Sequence, residues 1–148
     1  MHIESMNRPV LALDDAHPAK RFLSAFIDCR KDCVGYELGF DGQEPIDQEW
    51  WCASGGKVWR FSEFAYKILS FDIELDGVLT NAPCLTESET AAARQLPLYR
   101  CLMDECAHAA LRDGNNEIAE MTRQVQEMLN LWEEYLSFRK EMISRGNG

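Results

Sequence analysis

The sequence predicts a mainly α fold: a helical bundle with a long C-terminal antiparallel helical hairpin, and room for a small β-hairpin between residues 35 and 61. Two observations carry this expectation. An apolar stripe at helical spacing runs from Ile118 to Ile143, and a hydroxyl-x-x-carboxylate signature at Thr86-Glu87-Ser88-Glu89 opens an earlier helix that the Asp113-Gly114-Asn115 connector separates from it. At 148 residues, with 46% hydrophobic side chains, the chain has enough apolar surface for one real core, and residues 18–148 are expected to form a single helical domain.

Residues 1–17 contain Pro9, the paired Asp14 and Asp15, and no sustained period, so a flexible arm is expected there, touching the domain through Val10 and Leu11. From Pro18 to about Val34, Phe22, Leu23, Phe26, Ile27, Cys29, Cys33 and Val34 recur at helical spacing, with Arg21, Asp28, Arg30, Lys31 and Asp32 mostly on the other side. Gly35 and Gly39 suit its end. Residues 35–60 support two readings, a strand on the alternation of Tyr36, Leu38 and Phe40 and a short helix after Pro45. A hairpin across Ser54-Gly55-Gly56 would pair Glu49–Ala53 with Lys57–Phe61.

Between Phe61 and Gly77 a strand pattern (Phe71, Ile73, Leu75 against Asp72, Glu74, Asp76) competes with a helical one (Phe61, Phe64, Ile68, Phe71, Leu75, Val78). The helical template collects more matches and predicts a helix, although three carboxylates then sit near its C-terminus, where the helix dipole disfavours them. After the Asn81-Ala82-Pro83 break, the capped helix is expected to run from Thr86 to Arg112 with a kink or restart at Pro97. The last helix, of about 28 residues, spans roughly 42 Å. That length exceeds what its hairpin partner covers, which makes Met121, Val125, Met128, Trp132 and Tyr135 the expected seam of a homodimer.

Charge sets limits on function. The chain has 25 acidic and 15 basic side chains, and residues 35–92 hold 11 of the acids but only three of the bases. Such a balance opposes direct nucleic-acid binding and anionic membrane surfaces. Val10–Leu13 is the one apolar run near the N-terminus, too short for a signal-peptide core or a membrane span, so a cytoplasmic protein with reduced thiols is expected.

Catalytic motifs are thin. Glu105 and His108 resemble half of the E-x-x-H ligand set of ferritin-like di-iron bundles, but the other histidines, His2 and His17, lie in or beside the arm. Cys29, Cys33, Cys101 and Cys106 are read as small apolar residues rather than zinc ligands, because neither pair has knuckle spacing. Cys106 and His108 point about 200° apart on a helix and cannot act as a catalytic pair. Glu117 and Glu120 have the E-x-x-E spacing of helical pyrophosphohydrolases, yet no E-x-x-D follows. No nucleophile elbow or phosphate-cradling glycine loop occurs.

The most distinctive composition is aromatic and acidic. Trp50 and Trp51 are adjacent, so one of them faces away from any core that the other enters. With Trp59, Asp47 and Glu49 they form an expected partner-binding surface for a protein with a basic face. The expected function is therefore a non-enzymatic interaction module, a regulator, inhibitor or adaptor without cofactor or metal. Two alternatives are an acidic mimic of nucleic acid that blocks a DNA- or RNA-binding protein, and a carboxylate/His metal enzyme using His108.

Overall fold

The structure is a computed structural model describing residues 7–34, 52–54, 57–59 and 61–147. It is mainly helical. The elements are α1 (Arg8–Leu11), α2 (Pro18–Val34), β1 (Cys52–Ser54), β2 (Lys57–Trp59), α3 (Phe61–Leu69), α4 (Asp76–Thr80), α5 (Glu87–Arg112) and α6 (Asn116–Asn147). Strands β1 and β2 pair antiparallel with Cys52 opposite Trp59 and Ser54 opposite Lys57. Among the described residues no helix is long and apolar enough to cross a membrane.

The chain divides into two compact units. The first comprises residues 1–27, 72–97 and 128–148, the second residues 28–71 and 98–127.

The first unit is organised by aromatic packing. Helix α2 begins where Pro18 has no N–H to lose, and the His17 ring caps it by accepting from the Ala19 N–H at 3.1 Å. Its apolar stripe places Phe22, Leu23 and Phe26 fully inside. Phe22 stacks on Trp132 of α6 at 5.0 Å, and Phe26 meets the same indole edge-on at 5.9 Å. Residues 7–16 belong to this unit and reach it through the Val10 and Leu11 contacts expected of the arm. Val10 is fully buried, Leu11 is half-buried, and the Asn7 side chain is only 3% exposed.

The expected helix from Phe61 to Gly77 is also corrected. Helix α3 stops at Leu69, residues 71–75 belong to no helix, and α4 starts anew at Asp76. Ile73 and Leu75 are buried while Asp72, Glu74 and Asp76 are exposed, the alternation of a half-buried strand. The break also frees the three carboxylates from a helix C-terminus that would repel them. Asn7 Nδ2 donates to Ile73 O at 3.1 Å, and Leu75 N donates to Asn7 Oδ1 at 3.0 Å. Because both bonds are buried, Asn7→Ala should lower stability by about 1–3 kcal/mol, read as a shift in denaturant midpoint at unchanged slope. An unchanged midpoint would deny Asn7 this role.

Helix α4 closes on Asn81, whose φ of 52° is left-handed, with Ala82 N donating back to Gly77 O at 3.1 Å. Helix α5 opens with the predicted capping box: Glu89 N donates to Thr86 Oγ1 at 3.2 Å and Thr86 N to Glu89 Oε1 at 2.9 Å. The helix runs unbroken through Pro97, so the expected restart does not occur.

In the second unit Phe61, Ile68, Leu69, Met103, Cys106, Ala110 and Val125 are buried. The predicted connector turns at Gly114, whose φ of 70° favours glycine, and Asn115 N donates to Ala110 O at 2.9 Å. Asn115 Oδ1 then accepts from Ile118 N at 3.1 Å and caps α6. Asp104 bonds Gln126 at 2.9 Å, and Cys106 lies 3.6 Å from Thr122.

Candidate functional site

Of the expected partner-binding residues, Asp47, Glu49, Trp50 and Trp51 lie outside the described residues, as does the side chain of Trp59. The five residues of the expected seam are described. Val125, Met128 and Tyr135 are fully buried, Trp132 is 2% exposed and Met121 8% exposed, all within one copy of the chain. The long ridge is core. Around Trp132 and Tyr135 the covering rings are Phe22 and Phe26 of the same chain.

Glu105 and His108 are exposed on α5, as is Cys101. Cys29 is buried with its thiol 3.6 Å from Gln124 O, and Cys106 is buried against Thr122. Among the described residues no group of three or more His, Cys, Asp or Glu side chains is placed to hold a metal ion.

Two polar arrangements that sequence reasoning missed occur in the first unit. The first is a buried lock. Arg139 on α6 is fully buried and donates through Nε to Glu89 Oε2 at 2.7 Å and through Nη2 to Cys84 O at 3.2 Å and Ala82 O at 3.4 Å. The Tyr135 hydroxyl donates to the same carboxylate oxygen of Glu89. One planar guanidinium thus ties the turn after α4 and the start of α5 to α6, a task for which its fork is suited and a lysine is not. Burial works to raise the Glu89 pKa, but the bonds from Arg139, Tyr135 and the Thr86 backbone outweigh it and hold the carboxyl below its ordinary value. Tyr135 is pushed up, first by burial and then by its bond to Glu89. A Cβ on Gly77 would lie 3.0 Å from Thr86 Cγ2 and 3.2 Å from Arg139 Nη2, so the lock closes against a residue with no side chain.

A sequence signal for the lock exists. Arg139 follows Trp132 and Tyr135 at three-four spacing on the apolar stripe, and a charge on that face needs a buried partner. The lock is closed to solvent and serves as structure rather than as a site of chemistry.

The second arrangement is the accessible one. Asp72 and Glu74 are exposed on the segment between α3 and α4, and Asp76 is exposed at the first position of α4. The segment is fixed on both sides. Asn7 holds Ile73 and Leu75, while the Ser88 hydroxyl donates to Asp72 O at 3.2 Å and accepts from Glu74 N at 3.3 Å. Among the described residues no cation pairs with these three carboxylates, whereas α6 neutralises its own acids internally through Arg123 with Glu120 and Glu127. The result is a fixed row of negative charge open to solvent. No family model, no curated protein and no solved structure matches this chain.

Proposed function

We propose that the chain is a non-enzymatic interaction module, a small cytoplasmic regulator, inhibitor or adaptor that docks a basic surface of another protein. The observation that supports it is the row Asp72, Glu74 and Asp76 on a segment held at both edges. Fixed charges bind without first being ordered, so an opposite array on a partner gains attraction at little entropic cost. Trp50, Trp51 and Trp59 with the acidic Asp47 and Glu49 are proposed, from the sequence, as a further set of partner contacts in the same acid-rich middle of the chain. Helices α5 and α6 are its scaffold. The pairings of Glu89 with Arg139 in one unit and of Asp104 with Gln126 in the other support reading them as an antiparallel hairpin.

The test is capture of partners from the native host by the wild-type chain and by a variant with Asp72→Asn, Glu74→Gln and Asp76→Asn. The neutralised variant should lose the principal partner, and raising salt should elute it from the wild type. Equal capture by the neutralised variant and by Trp50→Ala and Trp51→Ala variants would discard the proposal.

The excess of 11 acids over three bases in residues 35–92 favours one further reading, in which carboxylates stand in for successive phosphates of a nucleic-acid strand. Displacement of the captured partner by single-stranded DNA supports this mimicry, and indifference to DNA leaves the simpler docking reading.

A further inference from the structure

We draw no further inference here: the strongest candidate, the exposed surface patch of Leu98, Cys101 and His108 on α5, rests on a lone thiol beside a single apolar side chain, and nothing in the structure shows what covers it.

Discussion

Replacing Arg139 by methionine is expected to lower the unfolding free energy by about 3–5 kcal/mol, the cost of leaving a buried charge without its partner. For a chain of this size that is a fall in melting temperature of roughly 10–15 °C. Three acceptors lose their donor together: Glu89 Oε2, Cys84 O and Ala82 O. The loss is a penalty on Glu89 more than a forfeited attraction, so Glu89→Gln combined with Arg139→Met should be less damaging than Arg139→Met alone. A double-mutant cycle by chemical denaturation measures this directly. Additive single effects would show that the pair is not coupled.

The same lock fixes the pH response. Glu89 has a folded pKa below its unfolded value of about 4.3, so its contribution is complete at neutral pH and fades as pH falls through the folded value. Tyr135 is raised, so it costs nothing until the unfolded phenol begins to ionise near about 10, above which stability declines. In Arg139→Met the remaining burial favours a protonated Glu89. The gap between wild type and variant should therefore narrow as pH is lowered from 7, because the variant's buried carboxyl takes up its proton before the wild type's does. A gap that widens in acid would mean that Glu89 is not the group responsible.

Local signals made most of the helices legible. Pro18 and the stripe from Phe22 to Cys29 fix α2, the Thr86/Glu89 box fixes the start of α5, and Gly114 with Asn115 fixes the turn into α6. Each of these rests on bonds between residues within five positions of one another. Residues 71–75 failed the same test because their backbone partners, Asn7 and Ser88, are remote in sequence, 66 and 16 positions away for the bonds to Ile73 and Asp72. Counting apolar matches favoured helix there, whereas the acids at 72, 74 and 76 carried the better information. The candidate site was legible in charge and not in geometry: the middle of the chain was visibly acidic, but what holds three of its carboxylates in a row lies elsewhere in the sequence. Arg139 is hard to place from sequence for a related reason, since its late position in α6 matches the helix dipole and hides its place on the buried face.

Trp132→Ala separates the two roles open to the long ridge of α6. As part of a seam between copies, the indole would be covered only on assembly, and its loss would reduce mass in solution and make melting depend on protein concentration. The structure covers it within a single chain, stacked on Phe22 at 5.0 Å and edge-on to Phe26 at 5.9 Å, with 2% of its surface exposed. Removing it therefore empties a packed aromatic cluster, at a cost of about 3–5 kcal/mol for the cavity and lost contact area. The two aromatic pairings account for roughly 0.5–1.5 kcal/mol each beyond area alone. Melting should drop by roughly 10–15 °C at every protein concentration while the mass by light scattering stays at the wild-type value. Near wild-type melting accompanied by a lower mass would instead return the ridge to an interface, because only a surface completed by another molecule can lose its indole without loosening the fold that carries it.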